Sequence, residues 1–435
     1  MTGEAQPVAP DPRAGERLRV AVVGGGVAGI TAAHVLQRRH EVTLFERNDY
    51  VGGHTHTVVV PDGPDAGTPV DTGFIVLNDR TYPTFRRLLA DLGVGVRDAE
   101  MSFSLHDERR GFFYAGNDLN GLFAQRRNLL RPSFLRMLRD ILRFSREGLQ
   151  ALESGSAAGR PLRDYLAQRE YGQELVRDYL VPMSAAVWST SPAEVLDFPA
   201  ESLLRFFGNH GLLSFRDRPQ WQTVVGGSHA YVRAFLDRFT GQVHLASPIS
   251  ALRRTSGGVA VRTADGSEMS FDRAVIAAHA DEALALLADP SEEERRLLGA
   301  WRYQENHTVL HADPAVLPPC RRARASWNFV REAGSSDDAP VSVSYWMNLL
   351  QGLEARRDYC VSLNRRRAVR EESVIARLVY HHPAYTGDSL ATQYSLPALN
   401  CRRATYFCGS YFGYGFHEDA VRAGAAVGRA FGLDL

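Results

Sequence analysis

At 435 residues, with 44% hydrophobic and 23% charged residues, the chain has a globular composition and is too long for one ordinary core, so two domains are expected. Fifty basic residues balance fifty acidic ones, which leaves no global charge to attract nucleic acid. All fifty basic residues are arginine, so Schiff-base and lysine general-base mechanisms are excluded.

The stretch 1–16, MTGEAQPVAPDPRAGE, is acidic, carries proline and lacks an apolar core, and it reads as a disordered leader. Leu18 to Val23 is a short apolar run suited to a buried parallel strand. Gly24-Gly25-Gly26-Val27-Ala28-Gly29 breaks it, Ile30 to Arg39 is helical in composition, and Glu41 to Glu46 is a second strand. Another glycine pair follows at Gly52-Gly53. From about Thr81 to Arg216 longer helical, aromatic-rich stretches take over, and short strands return between Gln242 and Ile276. Ala404 to Gly409 reads as a strand and Asp419 to Phe431 as a closing helix. The expected fold is α/β: a discontinuous Rossmann-type domain from 17–80, 217–285 and 400–435, and a mixed α+β substrate domain from 81–216 and 286–399. The four cysteines form no C-x-x-C pair, and scattered thiols fit a reducing cytoplasm. No apolar run approaches the roughly 20 residues of a membrane span, so the expectation is a cytoplasmic protein, at most peripheral at the inner face of the membrane.

Gly24-x-Gly26-x-x-Gly29 places glycine where a side chain would obstruct: at the tight turn, under a pyrophosphate, and where helix packs on strand. The helix N-terminus, with the amides of Val27, Ala28 and Gly29, directs a partial positive charge at phosphates. Glu46, 20 residues after Gly26, stands where a carboxylate can accept from ribose hydroxyls. A dinucleotide is therefore expected, although this fingerprint alone does not separate NAD from FAD.

Gly52-Gly53, at its distance past Glu46, resembles the second motif of the amine-oxidase and carotene-desaturase superfamily of flavoproteins. Phe407-Cys408-Gly409-Ser410 with Glu418-Asp419-Ala420-Val421-Arg422-Ala423-Gly424 resembles that superfamily's C-terminal flavin motif. Matches at both ends favour FAD. The resemblance implies that Arg47, Gly52, Gly53, His54 and Thr55 line the diphosphate, where most members carry arginine in place of His54. It implies that Gly73 and Phe74 of Asp71-Thr72-Gly73-Phe74-Ile75 run along the flavin ring, and that Ile249 joins the cofactor contacts. It also implies that Gly409, Ser410, Glu418, Asp419 and Ala420 meet the flavin's polar edge, with Ser410 where an acid is usual. A helix N-terminus there would stabilise negative charge on reduced flavin.

Four further stretches are similar to a narrower branch, bacterial FAD-dependent oxidoreductases often found beside cyclopropane-fatty-acid-synthase-like methyltransferases. They are Gly52 to Thr57, Pro182 to Thr190, Phe206 to Leu213 and Tyr411 to Asp419. The resemblance implies a lipid-modifying redox role: hydride abstraction from a C–H bond, with desaturation of a methylated fatty-acyl chain as the outcome. An amine oxidase is the first alternative, although the chain lacks the lysine that many of those enzymes set near the flavin. A non-catalytic flavoprotein partner of a lipid methyltransferase is the second. Leu203-Leu204-Arg205-Phe206-Phe207, Leu212 to Phe215 and Trp221 can line an acyl tunnel or simply pack a core. In Pro132 to Arg146, Leu135, Leu138 and Leu142 recur on one helical face and Arg136, Arg139, Arg143 and Arg146 on another, suited to anionic lipid or to solvent.

His417, just before the closing helix, is the candidate catalytic residue: a general base beside the flavin would give the reaction a pH step near neutrality. Its other reading is a structural histidine, and Glu418 and Asp419 can equally cap the helix. His54/His56, His307/His311 and His381/His382 bring no further ligand at zinc spacing, so no metal is expected. No G-x-S-x-G elbow supports a hydrolase.

Overall fold

The computed structural model describes residues 8–188, 192–214, 218–336 and 342–435. Residues 1–7, Ser189 and Thr190 of the Pro182 stretch, and Phe215 lie outside the described residues.

Five parallel strands form the first sheet: β1 (Arg19–Val23), β2 (Glu41–Phe45), β3 (Gln242–His244), β4 (Arg273–Ile276) and β5 (Thr405–Phe407). Their order is β3-β2-β1-β4-β5, the doubly wound arrangement. β1, β4 and β5 are short and mostly buried, as strands covered on both faces must be, whereas β3, at the edge, is partly exposed. Helix α1 (Val27–Leu36) is buried throughout, because one side meets the sheet and the other meets the C-terminal helix α6 (His417–Ala430). Those two helices approach closely: a methyl group on Gly424 would collide with the Ala28 carbonyl, and one on Gly428 would press on Val35. Glycine at these two positions is thus a packing requirement.

A second sheet of seven strands crosses the other half of the molecule, in the order 374–384, 302–311, 360–363, 342–346, 327–331, 103–107, 112–115. All its pairs are antiparallel except 327–331 with 103–107. Against it lies an apolar helical layer that includes α3 (Pro132–Ser154) and α4 (Ala200–Asn209). A mixed α/β fold with a Rossmann-type half is what the sequence predicts.

Two expectations need correction. The substrate segment does not begin at residue 81, because α2 (Pro83–Asp91) buries Phe85, Leu88 and Leu89 in the same core as β1, α1 and α6. Similarly, Leu297, Leu298 and Trp301 pack beneath the other face of the first sheet. These boundaries follow apolar contacts that no composition change marks. In α3 the apolar face is Phe134, Met137, Phe144 and Ala151, so aromatic packing turns Leu135 and Leu142 outward.

The leader is also ordered from residue 8 onward. Asp11 is only 4% exposed and accepts from Arg273 Nε at 2.6 Å and Nη2 at 2.9 Å, and from Tyr406 Oη. Burial pushes its carboxyl up, but the hydrogen bonds from Arg273 and Tyr406 outweigh it and hold the group below its usual range. The Asp11 amide also donates to Ala430 O at 2.7 Å. A short acidic, proline-bearing stretch carries no signal for an ion pair with a residue 262 positions away. Asp11→Ala would leave a buried guanidinium unpaired, so it is expected to lower stability by about 3 kcal/mol. Chemical denaturation measures this, and a loss below about 1 kcal/mol would show the pair to be an unimportant surface contact.

Candidate active site

The carboxyl ends of the five strands collect most of the predicted residues at one crevice, as strand order requires. Gly24 ends β1 with φ +106°, in the left-handed region, and any side chain there would strike the Ala277 carbonyl after β4. Gly29 faces the Gly24 carbonyl too closely to bear a methyl group. Gly26 is the N-cap of α1, and no side chain caps the amides of Val27, Ala28 and Gly29. Glu46 is buried past the end of β2, where one oxygen accepts from Gly25 N at 2.7 Å and the other from Asn48 N at 2.9 Å. The Ser247 amide donates to the Glu46 carbonyl, which brings Ile249, at the start of the next strand, to this side. Arg47 points elsewhere, into an ion pair with Glu282 at 2.5 Å on the protein surface.

The second glycine pair folds back onto the first: Gly52 N donates to Gly25 O at 2.9 Å, and a methyl on Gly53 would lie 3.2 Å from Gly26 Cα. Phe74 N then donates to His54 O at 2.8 Å, which lays Gly73 and Phe74 beside the 54–56 segment. Gly409 and Ser410 follow β5 and complete the wall.

The helix α6 begins at His417, two residues before the expected start. Asp419, at the third position, accepts from the amides of Tyr414 and Phe416 at 2.9 and 3.0 Å and so closes the first turn. Glu418 does not turn to the cofactor wall. Its two oxygens accept from Thr84 N and Phe85 N at 3.0 and 2.9 Å, an anion at the N-terminus of α2. Ala420 is buried in the core behind the helix start.

His417 stacks on Phe74, with ring centroids 3.7 Å apart and 10° between planes, and meets Phe85 edge-on. Its Nε2 is 3.0 Å from Tyr231 Oη, which is 2.6 Å from Thr55 Oγ1. Burial pushes the imidazolium down to about 3, so the ring is neutral near pH 7. The neutrality step expected of a catalytic base is therefore corrected: His417 clamps Phe74 and ends a hydrogen-bond chain. Tyr231 was missed, because a tyrosine on an apolar helical stripe looks like core. Asp71 was also passed over. It accepts from Ser228 N, Ser228 Oγ and Thr57 Oγ1, and burial raises its carboxyl to about 6.

Between these walls stands a ring cluster that sequence could not assemble. His54 lies 5.1 Å from Tyr380, 5.4 Å from His382 and 6.0 Å from His279, centroid to centroid. Among the described residues no three metal-binding side chains converge closely enough to hold an ion.

A family model for flavin containing amine oxidoreductases matches residues 27–312. The chain belongs to that family. It is 25% identical over 317 residues to an L-amino-acid oxidase of Siganus canaliculatus, covering 67% of this chain and 56% of that one, so it spans little more than half that relative's length. It is 24% identical over 303 residues to the 15-cis-phytoene desaturase of Arabidopsis thaliana, covering 65% and 51%. A crystal structure of a CLA-producing fatty acid isomerase from P. acnes has the same fold, with TM-score 0.67 and 16% identity over 94% of this chain and 97% of that one.

The family's cofactor is FAD, and the residues present fit it. A methyl group built on Gly26 would find no atom within 4 Å, so the N-cap faces open space in front of α1 amides. His54 Nε2 is buried without a hydrogen-bond partner beside that turn, a polar atom suited to a diphosphate or ribityl oxygen. Gly26→Val is expected to leave the fold intact and abolish FAD retention, read from the visible spectrum and the melting curve. A folded, yellow variant would move the diphosphate elsewhere.

Burial also depresses His210 to about 4 and His382 to about 4. With His417, these groups take up protons on unfolding below the ordinary histidine value of about 6.5. Their stability contribution is therefore complete above that pH and is lost as pH falls toward 4. Asp71 acts oppositely, because its folded carboxyl is protonated first as pH drops through 6. Three histidines outweigh one carboxylate. Stability should be flat from pH 7 to 8 and fall below 6.5 by up to roughly 1.4 kcal/mol per pH unit for each histidine. His417→Gln should shallow that slope by one proton, and an unchanged slope would mean that His417 titrates normally.

Proposed function

We propose that this flavin-containing oxidoreductase acts on the hydrocarbon part of an acyl lipid and introduces a double bond. The observation that carries this reading is the neutral aromatic layer at the start of α6. Phe416, the N-cap of α6, stacks on Phe206 of α4 with centroids 5.1 Å apart and 13° between planes. Phe206 lies 4.0 Å from His210, and His210 stacks over Trp221 at 6.0 Å. At its depressed value of about 4, His210 carries no charge near neutrality. Glu46, Asp71, Glu418 and Asp419 all accept hydrogen bonds from within the protein, from backbone amides, from hydroxyls at Asp71 and from Arg422 at Asp419, so a substrate ammonium would have to compete for them. Such a wall favours an apolar chain over a cation.

FAD, when bound, would supply a two-electron acceptor: one substrate hydrogen would leave to it as hydride and the neighbouring hydrogen would pass to water as a proton, leaving a carbon–carbon double bond. The protein's share is positioning. His417 and Tyr231 fix Phe74, the start of α6 turns positive dipole toward the crevice, and Phe206 with Phe416 aligns the chain. Support also comes from relatives whose names describe hydrocarbon substrates, a phytoene desaturase and a fatty acid isomerase.

The test is anaerobic bleaching of the flavin by a panel of methylated or unsaturated phospholipids, amines and amino acids. Bleaching is expected with the acyl lipids alone. Phe206→Ala should lower kcat/KM for them by roughly tenfold or more, from lost apolar contact. Reduction by amines with no response to any lipid would transfer the protein to the amine-oxidising side of its family.

A further inference from the structure

Among the described residues, twelve large apolar side chains are exposed, and six of them lie between residues 119 and 149: Leu119, Leu129, Leu130, Leu135, Leu142 and Leu149. The last three recur at intervals of seven along α3 and form one outward stripe, while Phe134, Met137, Phe144 and Ala151 face the core. Leu130, on the turn leading into α3, is 87% exposed, and Leu142 is 58% exposed. Single surface leucines are ordinary, but six exposed ones between residues 119 and 149 are not.

The charges around them are of one sign. Residues 119–149 contain seven arginines and two acids, Asp140 and Glu147. Asp140 is buried and accepts from Gly172 N at 3.0 Å, and Glu147 accepts from Tyr171 Oη at 2.7 Å. Of the arginines, Arg143 lies over the Tyr171 ring and Arg136 pairs with Glu174, whereas Arg126, Arg127, Arg139 and Arg146 are exposed beside the leucines. The opposite wall is the protein itself: Gly148 packs on Leu204 and Leu213, and α4, which carries Leu204, also carries Phe206 of the aromatic layer.

We propose that this face docks the protein on an anionic phospholipid bilayer, with leucines entering the headgroup boundary and arginines meeting phosphates. A helix edge and its lead-in turn, rimmed by arginine and without an exposed carboxylate between 119 and 149, complements a flat anionic surface. The purpose of docking rests on the acyl-lipid reading, since the bilayer would lie only α3 and α4 away from the layer that receives the chain. Helices pack about 8–10 Å apart, so the path is within the reach of an acyl tail. The docking surface itself stands on exposure and charge alone.

Co-sedimentation of the holoenzyme with phosphatidylglycerol-containing and pure phosphatidylcholine vesicles tests this. Binding to the anionic vesicles is expected, weakening as salt rises. Leu130→Ser with Leu142→Ser should weaken it by roughly tenfold or more. Arg126→Gln with Arg146→Gln should weaken it by roughly fivefold per residue. Leu245→Ser, an exposed leucine off this face, should bind as wild type, and all variants should melt as wild type. Equal loss in the Leu245 control, binding unaffected by the leucine pair, or no binding to either vesicle would overturn the proposal. So would concentration-dependent dimerisation abolished by the leucine pair, which would assign the face to a second copy. Flavin bleaching by detergent-dispersed lipid separates the two readings: it should persist in the leucine pair, and its absence in wild type would sink the substrate reading while leaving docking intact.

Discussion

Two adjacent carboxylates at the start of the last helix hold the site together through backbone amides. Asp419 closes the turn that carries Tyr414, Phe416 and His417. Glu418, one residue earlier, reaches across to the N-terminus of α2 and fixes the helix whose Phe85 meets His417 edge-on. A charge-assisted hydrogen bond to an amide is stronger than a neutral one and favours the ionised carboxylate. The same bonds that order the crevice therefore hold its carboxylates to the backbone. This makes the polarity of the site a consequence of its architecture.

That arrangement explains why so many titratable groups in this region are held neutral. The rings of His210, His382 and His417 are enclosed by aromatic and aliphatic neighbours, and burial outweighs every other influence on them. Neutral imidazole is flat, polarisable and able to share a hydrogen bond, as His417 does with Tyr231. Each of these rings packs as a small aromatic with one polar edge.

The parts of the fold legible in the sequence were those set by local stereochemistry. Gly24, Gly26 and Gly29 declare a turn and a close approach within six residues, and Glu46 falls one strand later. The C-terminal motif was readable for the same reason. Long-range polar contacts were not: Asp11 with Arg273, Glu418 with α2, and Tyr231 between Thr55 and His417 join residues far apart in the chain with no periodic signal. Position beside the flavin edge was inferred for His417, but its protonation depends on Phe74, Phe85 and Tyr231, which only folding brings to it. Amphipathicity in α3 was visible, yet the choice of buried face belonged to Phe134 and Phe144.

The junction of both chain ends at Asp11 and Ala430 bears on how the protein is made. β5 and α6 supply one edge of the dinucleotide sheet and the cover of α1, and both lie far along the chain from β1 and α1. During synthesis the first βαβ unit leaves the ribosome long before its partners and must wait with Val20, Val22 and Ile30 uncovered. Domains usually fold as units in order of emergence, but this one closes only when segments far apart in the chain meet. The dinucleotide crevice is therefore complete only when β5 and α6 have joined β1 and α1.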